Sequence, residues 1–241
     1  MKAFHEEKVD TKTVLSVKEA SDIFQISERT IRQHLKSGKW PGIKEGRVWR
    51  VLNTDNHIFL RYINGRNIMA DLALMRLAKK TICIHGINAL GPLHQGREIL
   101  LAKLRKGINV NILILNIDCP VFSQREIKEE YIDNQLSGRL RAEYSASVAI
   151  CKDIHNFTSK YSSPGRLQLN SHDIEPTRAM VIIDPSDSGC CSVNYYPNAP
   201  NTRGLAGKHR FFVKNEESHD DFEDSVQLFR SIWNKSHPIK F

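Results

Sequence analysis

The sequence predicts two folded parts, a small helical unit closed by a basic β-hairpin and, behind it, a larger α/β domain. Three observations predict this division. Two short capped helix patterns and an alternating basic segment follow one another between Leu15 and Val51. A buried strand, a helix and a second buried strand then follow in order from Thr81. Finally, the formal net charge of +8 is unevenly placed, with 16 Lys or Arg against 9 Asp or Glu through Lys80 and 19 against 18 thereafter. The basic excess therefore belongs to the first part, where it predicts a polyanionic partner.

In that part, Ser16 and Glu19 stand at the spacing of a capping box, and Val17, Ala20, Ile23 and Phe24 form one apolar stripe. Ser27 is the expected N-cap of a second helix from Glu28 to Lys36, reached through the short turn Gln25-Ile26 and ended by Gly38. Thr30, Ile31 and Leu35 take inward or supporting positions, leaving Arg29, Arg32, Gln33 and Lys36 on polar faces. From Ile43 to Val51 the chain alternates about Glu45-Gly46, which predicts a two-stranded hairpin with Ile43 and Val48 turned inward and Lys44, Arg47 and Arg50 free to meet phosphate. A helix laid in the major groove needs long donors to reach base edges, so Arg29, Arg32 and Gln33 are the first-contact candidates. The predicted partner is double-stranded DNA, with Ser27, Arg29, Thr30, Arg32, Gln33, Lys36, Lys44, Arg47 and Arg50 as the binding set.

The same stretch, about a sixth of the chain, resembles the excisionase and MerR-type winged helix-turn-helix family. The likeness is carried by L-S-V-K-E-A, I-S-E-R-T-I-R-Q-H-L-K-S-G-K and P-G-I-K-E-G-R-V-W-R-V. It implies that Arg29, Thr30 and Arg32 face the major groove and that the basic residues of the wing touch the DNA backbone.

From Thr54 to Lys80 helical apolar spacing is interrupted at Asn64-Gly65. The expected organisation is a DNA-binding domain over 1–66, a linker helix over 67–80 and an α/β domain over 81–241. The linker stripe, with Leu72 and Met75, packs either on its own domain or on a second subunit; pairing two small readers favours a homodimer. Five scattered cysteines fit reduced thiols and show no zinc-site spacing, so neither metal nor cofactor is expected. The charged N-terminus lacks a secretory core and no stretch nears the ~20 apolar residues of a membrane span, which predicts a cytoplasmic, nucleoid-associated protein.

In the second part, strands are expected at Thr81–Gly86, Val110–Leu115, Leu167–Leu169, Ala179–Ile183, Ser192–Tyr196 and Arg210–Val213. Amphipathic helices are expected at Arg125–Gln135, Leu140–His155 and Asp220–Trp233. This region resembles the phospholipase D-like fold, a mixed sheet flanked by helices, in its opening I-H-G strand, R-K-G-I-N-V-N-I-L-I-L-N, P-T-R-A-M-V-I-I-D and F-x-x-S-V-Q-L-F-R-S-I-W-N. In catalytic relatives a His, a Lys two residues on and an Asp five further on carry the chemistry. Here Thr177 and Ala179 take the first two places and only Asp184 is retained.

Covalent phosphoryl transfer needs the missing nucleophile, so the domain is expected to bind rather than to react. His85, Arg178, Asp184, Arg203, Lys208 and His209 are the candidate pocket for a small anionic effector. The expected function is a sequence-specific duplex-DNA regulator with a ligand-sensing or dimerising domain. A DNA-directed phosphodiesterase or nuclease and an architectural recombination factor of the excisionase kind are the alternatives.

Overall fold

The computed structural model describes residues 14–24, 27–37, 42–45, 48–52, 67–132, 136–162, 164–187, 189–196, 209–214 and 219–240. The chain divides into two compact units, 1–64 and 65–241.

The first unit holds β1 (Val14–Ser16), α1 (Val17–Phe24), α2 (Glu28–Lys36), β2 (Gly42–Glu45) and β3 (Val48–Leu52). The capping box forms as its spacing predicts: Ser16 N donates to Glu19 Oε2 at 2.7 Å and Glu19 N donates to Ser16 Oγ at 3.1 Å. β2 and β3 make the expected antiparallel hairpin. The sequence reading missed β1, a three-residue strand that pairs antiparallel with β3 through Leu15 and Val51 and gives the order β1-β3-β2. Leu15, Val17, Ala20, Ile31, Leu35 and Val51 close the core, with Trp49 packed against it.

That register overturns one expectation. Val51 is fully buried, so strand alternation turns Val48 to the opposite face, where it is 55% exposed. The side chains of Ile23, Phe24 and Ile43 lie outside the described residues.

The second unit runs α3 (Asn67–Leu77), β4 (Thr81–Gly86), α4 (Leu90–Arg105), β5 (Asn109–Leu115), α5 (Pro120–Ile127), a π-helical turn (Lys128–Ile132) and α6 (Arg139–Thr158). β6 (Leu167–His172), β7 (Arg178–Ile183), β8 (Cys190–Tyr195), β9 (His209–Val213), α7 (His219–Trp233) and β10 (His237–Pro238) complete it. Seven strands form one mixed sheet in the order β10-β6-β5-β4-β7-β8-β9. β4, β5 and β6 are parallel neighbours, and the remaining pairings are antiparallel. Continuous apolar runs such as I-L-I-L in β5 suit strands covered on both faces.

One face carries Cys83, Leu113, Met180, Ile182, Cys191, Val193 and Phe212 against Phe222, Val226, Phe229 and Ile232 of α7. Period-two alternation gives α3 and α4 the other face. Leu72, Ala73, Leu74 and Met75 of α3 are buried in this unit, so the Leu72 and Met75 positions of the stripe that suggested subunit pairing are covered by the chain itself.

Two elements differ from their predicted bounds for tertiary reasons. β6 continues three polar residues past Leu169, because Asn170, Ser171 and His172 pair with β5 on one side and Asn170 and Ser171 with β10 on the other. The helix expected over Arg125–Gln135 instead starts at Pro120, a good first helical residue, with Cys119 Sγ accepting from Phe122 N at 3.4 Å.

Candidate nucleic-acid interface and strand-end cluster

Ser27 starts α2 as expected: its Oγ accepts from Thr30 N at 3.2 Å and lies 2.8 Å from Thr30 Oγ1. Both hydroxyls are thus engaged in the cap. Ile31 and Leu35 anchor the helix in the core. At about 100° per residue their opposite side carries Arg29, Arg32, Gln33 and Lys36, which stand at i, i+3, i+4 and i+7, and all four are exposed. Arg32 Nη2 donates to Glu28 Oε2 at 2.6 Å, an exposed i,i+4 pair that costs little to release.

Between α2 and the hairpin lies a groove of about 530 Å³ lined by Lys18, Glu28, Arg32, Lys36, Lys44 and Trp49, among others. Lys44 sits 6.0 Å from the centre of the Trp49 ring. Lys18 and Trp49 belong to this surface and were not singled out from the sequence, since neither a first-helix lysine nor a half-buried tryptophan carries a signal until α1 and the hairpin are brought together. Arg47 and the side chain of Arg50 lie outside the described residues.

In the second unit the expected pocket is only partly assembled. His85 at the end of β4 and Arg178 at the start of β7 are brought to one end of the sheet, since His85 pairs with Met180. Asp184 is not there. It follows the far end of β7, about 20 Å away for a six-residue strand. Its carboxylate accepts from Lys79 N, Lys80 N and Thr81 N at 2.8, 2.7 and 2.9 Å, and its backbone sits at φ 46. It is a structural clamp on the start of β4. Arg203, Lys208 and the side chain of His209 lie outside the described residues.

His172 takes the vacated place, with its ring centre 5.2 Å from that of His85. The sequence hid it, because a lone histidine at the end of L-Q-L-N-S-H has no pattern of its own. Both imidazoles are 2% exposed. Burial holds His85 down to about 3, with the His172 and Arg178 charges pushing the same way and the Arg178 backbone partly opposing them. Burial likewise holds His172 down to about 4, against the Ile174 backbone and Asp173. Both rings are therefore neutral at pH 7.

On the other face Asp71 of α3 accepts from Ser192 Oγ at 2.6 Å. Burial pushes its carboxyl up from the usual 3.8 to about 7, the Ser192 hydrogen bond pulling partly back. A folded-state value above the unfolded one means that the folded protein holds the extra proton between about pH 4 and 7. This contribution is whole below pH 3.8 and is lost as pH rises through 7. Asp71→Asn is therefore expected to raise stability at pH 8 by on the order of 2 kcal/mol and to leave it unchanged near pH 4, as read by urea denaturation at the two pH values.

Residues 14–55 match the helix-turn-helix domain family. The first unit is a helix-turn-helix domain. No curated protein matches the chain in sequence. Among solved structures the chain is similar to TrmBL2, an archaeal chromatin protein whose structure is described as showing a novel mode of DNA binding. That likeness has 11% identity and a TM-score of 0.43, and covers 94% of this chain and 89% of that one. A TM-score of that size carries no argument about a shared fold.

Proposed function

We propose that this protein is a duplex-DNA-binding regulator that reads its site with α2 and steadies itself on the phosphate backbone with the hairpin as a wing. The observation that carries the reading is the exposed row Arg29, Arg32, Gln33 and Lys36 on a capped helix, flanked by Lys18 and Lys44 across one groove. Long donors on a helix of this kind suit base edges, and the flanking ammonium groups suit phosphate. The near balance of charge after Lys80 supports placing the DNA contact in the first unit.

The second unit is a phospholipase D-like domain without that family's chemistry. Two observations support the loss of that chemistry. Ala179 stands at the place of the family lysine, and a Cβ built on the adjacent Gly86 would lie 3.8 Å from Ala179 Cβ and 3.4 Å from the Tyr196 hydroxyl. Ile87 N donates to that hydroxyl at 3.2 Å, so a buried phenol fills the space beside the sheet. The retained Asp184 is occupied by three backbone amides at the opposite end of β7. The domain serves as a sensor or pairing platform.

The test is fluorescence anisotropy of the full chain on a random duplex pool, followed by selection of bound sites. Binding is expected to weaken steeply with salt, with four to six phosphate contacts giving a slope of log affinity against log salt of about −4 to −5. Selection is expected to enrich one sequence, whose footprint length reports the number of subunits. A slope near zero, or a pool that stays random, would remove the reading.

A further inference from the structure

Folded interiors leave few buried polar atoms without a partner, and among the described residues most of them gather in one place. Among the described residues six buried side-chain atoms lack a hydrogen bond of normal geometry: Nδ1 and Nε2 of His85, Nε2 of His172, Nε of Arg178, Oδ1 of Asn170 and Oδ1 of Asn194. Sheet register sorts them. Leu113 pairs with both His85 and Asn170, Leu115 with His172, and Met180 with His85. Alternation then sets Arg178, two residues before Met180, on that same face. Asn194 pairs with Ala179 and falls on the other. Five of the six atoms thus share one face at one end of three adjoining parallel strands and their antiparallel neighbour.

Their chemistry is complementary to a negative oxygen. Ile174 N donates to His172 Nδ1 at 3.2 Å, so in the neutral ring the proton sits on Nε2, which is the unpartnered atom and therefore a donor. Arg178 Nε is a second donor and carries charge. His85 supplies a third N–H with an acceptor beside it. Asn170 Nδ2 donates to Ser236 Oγ at 2.8 Å, leaving Oδ1 to accept a hydroxyl or amide. The guanidinium lies 5.0 Å from the centre of the Tyr195 ring, and no carboxylate among the described residues pairs with it.

We infer that His85, His172 and Arg178 form a binding site for a small oxyanion, a carboxylate or a phosphate. Ordered water would satisfy the imidazoles but offers no counter-charge to Arg178, which is partly exposed and has no carboxylate partner among the described residues. A transition metal fits worse. It would need a third ligand, and the described residues hold no group of three His, Cys, Asp or Glu able to bind one, while the Arg178 charge repels a cation. An oxyanion satisfies the three donors and the charge together.

The test uses the full-length protein without DNA, so its failure and that of the duplex-binding reading are separable. Inorganic phosphate and malate are titrated separately in low-chloride buffer, with thermal denaturation and long-range ¹H–¹⁵N imidazole spectra as readouts. At least one anion is expected to raise the midpoint by about 3 °C or more at saturation and to move the His85 and His172 ring signals. Phosphate alone would assign a phosphate ester, malate alone a carboxylate, and both the shared oxyanion chemistry. Arg178→Gln and His172→Phe, checked for folding by circular dichroism, should each abolish the shift; a folded His172→Phe protein that is stabilised as the wild type would overturn the site. So would silence with both anions to about 10 mM, where a Kd of 1 mM would register. Equal stabilisation of the Arg178→Gln protein, or Zn²⁺ binding lost with either histidine, would also overturn it. If His85→Phe raises the midpoint while neither anion acts on the wild type, the cluster is a water-filled packing fault and the inference is wrong.

Discussion

Duplex binding is expected to fall about 1,000-fold when Arg29 and Arg32 are both changed to Glu, measured by anisotropy at about 0.1 M salt. Each arginine that meets a base edge is worth about 1–3 kcal/mol, and reversing its sign adds repulsion from the phosphates, so a combined loss of about 4 kcal/mol is the conservative figure. Both residues are exposed on the side of α2 opposite Ile31 and Leu35, so the fold should survive. Arg32→Glu does place a second carboxylate one turn from Glu28, where the wild-type helix has an ion pair. The cost of such an i,i+4 repulsion is about 0.5 kcal/mol, far below the binding loss, and the Arg29→Ala/Arg32→Ala protein separates the two effects. Arg29→Lys/Arg32→Lys should retain salt-dependent binding while losing selectivity, because an ammonium meets phosphate but cannot form the guanidinium fork. Unchanged affinity in the Glu protein would remove α2 as the reading helix.

The largest stability effect is expected at Asp184. Its carboxylate accepts three backbone amides from Lys79, Lys80 and Thr81, which lie 103 to 105 residues earlier in the chain, and so it ties the end of β7 to the start of β4 in the middle of the sheet. Its own amide returns a bond to Thr81 O at 2.9 Å. Asp184→Ala leaves three amides without their acceptor and puts an alanine at φ 46, where a β-carbon is strained. A loss of about 4 kcal/mol and a midpoint lower by about 10 °C are expected. Asp184→Asn should cost less, since its one carbonyl oxygen can still accept from Lys80 and Thr81 and asparagine tolerates the left-handed backbone. A fall below about 1 kcal/mol in the alanine protein would show that the amides find other partners.

This residue also shows how far a sequence can be read. Asp184 is visible as the survivor of a catalytic pattern, and a motif assigns it to a pocket. Its actual contacts are with the backbone of a segment that carries no side-chain signature, so no pattern of residue types reveals them. The polar end of β6 was hidden in a similar way. Asn170, Ser171 and His172 have weak strand preference and are held extended by β5 and β10, so β6 reads as three residues where six are paired. Val48 was misplaced because β1 is three residues long and its pairing with β3, which sets the buried register at Val51, leaves no periodic trace.

Short-range chemistry was legible at the starts of both helices of the first unit. The capping box and the Ser27 cap each close over three residues, so the bonds that make them are written in adjacent letters. The same holds for the row of donors on α2, because 3.6-residue periodicity with Ile31 and Leu35 inward leaves their position no freedom. The strand-end cluster belongs to the opposite regime. His85 and His172 meet across β5 because two parallel crossovers bring the ends of three strands together, and Arg178 joins them because β7 runs back antiparallel. Local propensity encodes bonds a few residues long, whereas the company a buried side chain keeps depends on sheet order and register, which emerge when the whole domain packs.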